Sequence, residues 1–188
     1  NDVHILTLVH SVTDEVQDIP LQDWLRLSAT GRQKPYLKQF SPENGVEFTK
    51  SSPLPVDPYF LGVWFGDGSK KLFAKSAGVA ITTKDAEIEA LCRDTARHYG
   101  LHVRVDLPVH LKHPCPTYHL AGERGGARNP LLDLLREAVG EGEALPRAYL
   151  CASREDREKF LAGWLDTDGY HNNGCYEITQ KRHQWAED

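Results

Sequence analysis

The residues Phe160-Leu161-Ala162-Gly163-Trp164-Leu165-Asp166-Thr167-Asp168-Gly169 read as a short apolar helix stopped by Asp-Gly. Leu61-Gly62-Val63-Trp64-Phe65-Gly66-Asp67-Gly68 has the same design, and Asp67 and Asp168 lie 101 positions apart. Gly62, Gly66, Ala162 and Gly163 strip side-chain bulk from one face of each helix, so the two backbones can pack directly. Each helix then delivers one carboxylate at its C-terminal end, beside its twin. The carboxylates repel each other, and the negative helix ends add to the repulsion. Divalent cations relieve it, and hard oxygen ligands suit Mg²⁺. Paired Mg²⁺ ions serve in-line phosphodiester hydrolysis, one activating water and one steadying the leaving oxygen. A single copy would read as a buried helix ending in a common turn. A second copy, at the spacing of a small αββαββα unit, favours the paired site.

The rest of the chain fits around these helices. Its 188 residues make one large domain or two small ones, and 40% hydrophobic with 26% charged residues is globular composition. The longest apolar stretch, Tyr59 to Phe65, is too short to span a bilayer, and no membrane role is expected. A net charge of −5 argues against a protein that coats nucleic acid through phosphate neutralisation, while leaving room for a local basic face. The four cysteines (92, 115, 151 and 175) form no CxxC pair, so a reducing, intracellular setting is expected. The absence of any Met points to a piece of a longer precursor.

Residues 4–9 read as a strand, 13–18 as a break and 20–27 as a short helix with Asp18 as its cap. Residues 28–58 read as a mostly irregular connection with short strands such as Val46-Glu47-Phe48. Asp57-Pro58 opens the first motif helix, with an acidic cap and Pro at the first helical position. A basic hairpin over 70–83 follows, ending in the strand 78–82. Next come an amphipathic helix over 84–99 with Ile88, Leu91, Thr95 and Tyr99 on one face, a strand over 101–111 and another over 118–121. Gly122 to Asn129 is a basic, glycine-rich loop before a helix over 130–139. Ser153 and Asp156 form an acidic variant of the capping box ahead of the second motif helix. A strand over 175–180 and a helix start at 183 complete the chain.

The segment 160–169 resembles the signature of LAGLIDADG homing endonucleases, and Tyr59 to Gly68 resembles its first-repeat form. Residues 18–21, 46–48 and 53–59 are similar to the region preceding the endonuclease in fungal inteins. The nearest type is that carried by the pre-mRNA-processing splicing factor of the spliceosome. The resemblance implies an α+β fold: an αββαββα repeat over 53–152, the start of a second, incomplete repeat over 153–188, and a β-rich intein (Hint) remnant with its connection over 1–52. It implies Mg²⁺-dependent, site-specific cleavage of double-stranded DNA, with Asp67 and Asp168 as catalytic metal ligands beside Gly66 and Thr167. Groove-facing cations would come from Lys70, Lys71, Lys75, Arg104, Lys112, Arg124, Arg128, Lys181 and Arg182. The implied partners are duplex DNA and a host protein (the extein), with a nuclear location if the host is the spliceosomal factor.

Three departures qualify that expectation. Twenty residues follow Asp168, too few for a second sheet, so a second copy or a missing C-terminal half would complete the saddle. Related intein endonucleases place a Lys where this chain has Glu143, and a carboxylate cannot steady a developing phosphorane charge. Arg147 or a neighbouring Lys would have to substitute. The splicing machinery is reduced to His4 or His10 near the position of the block histidine, without a nucleophile or a terminal His-Asn. These departures sustain a second reading: a catalytically decayed DNA-binding or structural insert of a protein-splicing intein. Elsewhere, His110, His113, Cys115 and His119 have ligand-like spacing for zinc but match no common module. Asp166-x-Asp168-Gly169 lacks the later ligands of a calcium loop.

Overall fold

The structure, a computed structural model, describes residues 5–10, 13–26, 37–39, 48, 53–74, 76–108, 114–122, 128–141, 144–173 and 175–188. The chain divides into two units, Asn1–Val46 and Glu47–Asp188. The architecture is α+β, built on small antiparallel sheets.

In the first unit β1 (Ile5–His10) pairs antiparallel with β2 (Val16–Pro20) and with β3 (Leu37–Gln39), in the order β2-β1-β3. A short helix, α1 (Leu21–Arg26), follows β2 directly. The break expected over 13–18 is therefore a hairpin. Asp14 adopts φ 55°, and the Thr7 hydroxyl donates to Asp18 across the ladder at 2.7 Å. That bond takes Asp18 away from the helix-capping role expected of it. Gln17 and Asp18 have little strand propensity of their own; the ladder overrides it. Of the strand expected at 46–48, only Phe48 is described, and it lies in no strand.

The second unit is organised by two helices, α2 (Pro58–Asp67) and α6 (Arg154–Asp168). Asp57 caps α2 by accepting from the Phe60 N–H at 2.9 Å, with Pro58 in the first turn. Ser153 caps α6, accepting from the Asp156 N–H at 3.2 Å while its hydroxyl donates back to the Asp156 carboxylate at 2.7 Å. Between them lie β4 (Val79–Thr82), α3 (Ala86–His98), β5 (His102–Asp106), β6 (Thr117–Ala121), α4 (Pro130–Val139) and the short α5 (Arg147–Leu150). The sheet order is β4-β6-β5, antiparallel throughout. Its register puts Val79, Ile81, Tyr118 and Leu120 on the core face, all buried. After α6, β7 (Gly169–Asn172) and β8 (Cys175–Ile178) form a hairpin, and α7 (His183–Glu187) closes the described chain. Trp185 of α7 packs its ring 4.8 Å from Phe65 and 5.8 Å from Trp164, joining the core of the motif helices.

Several expectations change. Among the described residues of 70–83 the expected hairpin is one strand, β4; on the edge away from β6, Gly68 bridges Ile81, and Ser69 donates to the Ala80 carbonyl at 2.9 Å. Residues beyond Ser69 cannot extend as a strand because the Lys70 ammonium turns back onto α2 and Leu72 is buried in the core. Among the described residues the order from α2 to α4 is therefore α-β-α-β-β-α. The strand over 101–111 stops at Asp106, ahead of Pro108, which lacks a ladder donor. Val105 and Leu107 are left exposed. On α3 the buried row is Ile88, Cys92 and Ala96, which shares Ile88 with the expected face, while Leu91 and Tyr99 of that face are partly buried against the core. The segment 169–172, to which the sequence reading assigned no element, is β7.

Tyr149 ties the entry to α2 into this core. Its hydroxyl accepts from the Val56 N–H at 2.9 Å and donates to the Val56 carbonyl at 2.8 Å, both bonds buried. Tyr149→Phe strands both backbone groups and should cost about 2–4 kcal/mol, seen as a lower midpoint in urea unfolding with an unchanged slope.

Candidate functional site

The site lies where α2 and α6 end. The helices touch backbone to backbone, and the contact explains the glycines. A Cβ on Gly62 would sit 2.1 Å from the Phe160 carbonyl oxygen and 2.8 Å from the Trp164 nitrogen. A Cβ on Gly163 would sit 2.1 Å from the Tyr59 carbonyl oxygen and 2.9 Å from the Val63 nitrogen. Shifting the first set of residues by 101 positions yields the second, so the contact has local two-fold character. Further along, a Cβ on Gly66 would overlap the Thr167 side chain. Contacts climb both helices together, so the helices run in the same direction and their C-termini end side by side. The two caps match as well: Gly68 has φ −81°, ψ 153° and Gly169 has φ −80°, ψ 155°. Thr167 stands where α2 has Gly66, and its hydroxyl bonds back to the carbonyls of Gly163 (3.1 Å) and Trp164 (3.0 Å).

Asp67 and Asp168 are the last residues of these helices. Asp67 is half-buried, and its carboxyl is pushed above the usual range, first by burial and then by the charge of Asp168, with Lys70 opposing. Asp168 is exposed, with Gln180 Nε2 3.5 Å from its Oδ2. Tyr59, from the first turn of α2, donates to Asp166 at 2.7 Å. Its phenol is pushed up to about 12 by burial and by that carboxylate.

Lys70, grouped by sequence with the groove-facing cations, has its ammonium on the carboxyl end of α2. It donates to the carbonyls of Trp64, Phe65 (2.8 Å) and Gly66 (3.2 Å), and lies 4.7 Å from the centre of the Trp64 ring. Burial lowers it to about 8 against the pull of Asp168 and Asp67, and the charge of Arg182 lowers it further. A lowered lysine binds its proton less tightly when folded than unfolded. Holding the ammonium here therefore costs stability below pH 8, and the cost eases as pH climbs from about 8 towards the ordinary lysine value.

Two carboxylates and the carbonyl ends of two helices form an all-oxygen donor set, which fits a hard divalent cation. Among the described residues there is no cluster of three or more His, Cys, Asp or Glu side chains able to hold a metal. Of the zinc-spaced quartet, Cys115 and His119 are described, whereas His110 and His113 lie outside the described residues. His119 instead contacts Asp106 at 3.0 Å, and Arg104 contacts the same Asp106 oxygen at 3.1 Å.

The remaining expected residues scatter around the site. Arg104 is exposed on the outer sheet face, in register with His119, and Thr82 and Thr117 pair at 2.9 Å in the adjoining row. Lys71, Lys181 and Arg182 are exposed, and the Arg182 guanidinium lies 4.5 Å from the Trp185 ring centre. Arg128 pairs with Asp133 at the start of α4. His10 accepts from the Thr13 N–H at 3.2 Å within the β1–β2 turn. His4, Lys75, Lys112, Arg124 and Glu143 lie outside the described residues. The reading from sequence missed Tyr59, Asp106 and Gln180, and it put His119 in a zinc-spaced set, whereas the β5–β6 pairing sets it beside Asp106.

Among the described residues no helix is long and apolar enough to cross a membrane. No family model matches the sequence. The chain is 28% identical over 180 residues to the homothallic switching endonuclease of Saccharomyces cerevisiae, a match covering 83% of this chain and 29% of that protein. It thus spans less than a third of the relative's length, and the likeness to this endonuclease extends over most of the present chain.

Proposed function

We propose that the second unit is a site-specific, double-strand DNA endonuclease of the LAGLIDADG type, the homing activity of an intein. The observation that carries the reading is the convergence of Asp67 and Asp168 at two helix ends held together by Gly62 and Gly163. The similarity to a yeast endonuclease supports it. Asp67 and Asp168 would hold Mg²⁺, with the backbone at Gly66 and Thr167 beside them. The ion, when bound, supplies Lewis acidity and a water acidic enough to attack a phosphodiester. The chain's own part is positional. The α2–α6 contact holds the carboxylates together, and the helix ends supply the negative field that draws a cation. The polar sheet face carrying Arg104, His119 and Thr82 faces away from the core, where it can lie along a DNA groove. The first unit fits the intein (Hint) remnant that the resemblance implies, with a host protein around it. A nuclear location follows if that host is the spliceosomal factor.

Glu143, standing where related enzymes have Lys, favours the second reading, a decayed binding insert. A supercoiled plasmid carrying the insert-free host-gene junction separates the two. With Mg²⁺ the endonuclease gives linear product, a second copy or further chain completing the saddle. Supercoiled plasmid that is bound in a salt-sensitive manner but stays intact supports the decayed insert and contradicts the endonuclease.

A further inference from the structure

We infer that Lys70 is a resident counter-cation of the Asp67–Asp168 pair, a positioning residue that sets how tightly this site takes a divalent metal. The inference rests on the metal-binding reading above. Two observations lead to it. The ammonium is anchored on three successive carbonyls at the carboxyl end of α2, so it cannot swing out to solvent without giving up that cap. The same carbonyl end and carboxylates are what would attract a metal, so ammonium and metal draw on one negative field.

The consequence concerns affinity. A fixed positive charge within several ångströms of a divalent ion repels it, and at the effective dielectric of a half-buried site one unit charge changes affinity by about tenfold. Lys70 therefore offsets part of the charge of the pair while keeping metal affinity modest. After the second helix the position equivalent to Lys70 is His171 in β7, which is exposed, so the counter-cation serves one side of the pair.

The test is calorimetric titration of the full chain with Mg²⁺ alone at pH 7, without DNA, with folding checked by circular dichroism. Lys70→Met removes charge and cap; Lys70→Gln removes the charge but can still donate to a carbonyl; Lys70→Arg keeps the charge. Both neutral variants should bind Mg²⁺ about tenfold more tightly than wild type, and Lys70→Arg within about threefold of it. Should Lys70→Met fail to fold, Lys70→Gln carries the test. Asp67→Asn is the control for the underlying reading, and it should lose Mg²⁺ binding. Neutral variants that match wild type, while Asp67→Asn loses the metal, would overturn the role of Lys70 alone. Wild-type protein that takes no Mg²⁺ would overturn the metal reading and the Lys70 inference with it.

Discussion

Asp67→Asn should abolish DNA scission, lowering the rate at least about a thousandfold, while leaving duplex binding within a factor of about two. Asp168→Asn should do the same. Asn keeps the shape of the side chain but cannot supply the anionic oxygen that a hard cation requires. In the proposed function duplex contacts rest on cations elsewhere, so binding should survive. The same substitution should raise the melting temperature in the absence of metal. Asp67 is pushed up by burial and by Asp168, so the fold binds its proton more tightly than the unfolded chain does. Stability therefore falls as pH rises from the ordinary carboxylate range through that raised value, and Asp67→Asn removes this fall. Gel assays of cleavage and binding, with thermal melts between pH 4 and 8, check the three parts. An Asp67→Asn protein that still cuts at the wild-type rate sinks the assignment.

The second large effect is structural. Gly62→Ala and Gly163→Ala should each destabilise the second unit by about 3 kcal/mol or more, at the upper end of overpacking costs, because each new methyl meets a backbone oxygen 2.1 Å away. Backbone cannot rotate aside as a side chain can, so the helices must separate. The aspartates then part as well, and Mg²⁺ binding should fall along with stability. Gly78→Ala is the control: nothing lies within 4 Å of its Cβ position, so its melting temperature should stay near wild type. Thermal melts of the three variants decide the matter. A Gly62→Ala protein as stable as wild type would contradict the packing described here.

The motif helices were legible because their signals are local. Asp57-Pro58 and Ser153-x-x-Asp156 cap in the expected manner, and the glycines spaced by 101 positions imply a close contact that the structure contains. The α+β class follows from the same helices and from the alternation in 117–121. What sequence could not show depends on partners distant along the chain. The strand Val16–Pro20 carries Gln17 and Asp18 at its centre and forms through its pairing with β1. The buried row of α3 runs through Cys92 and Ala96, small residues that periodicity weighs lightly, because β5 and β6 lie against that side. Lys70 reads as one of several surface cations until α2 is seen to end one turn before it, within reach of three carbonyls of its last turn. The Arg104–Asp106–His119 cluster requires the β5–β6 register to be known.

The central claim is that a metal sits between the ends of α2 and α6. Iron-directed cleavage of the polypeptide tests it without a DNA target. Fe²⁺ replaces Mg²⁺ at oxygen-rich sites, and with ascorbate and peroxide it cuts the backbone nearest to it. The account predicts breaks near residue 67 and near residue 168 in the same sample, both suppressed by excess Mg²⁺ and both absent in Asp67→Asn. Breaks confined to other segments, or unaffected by Mg²⁺, would contradict it.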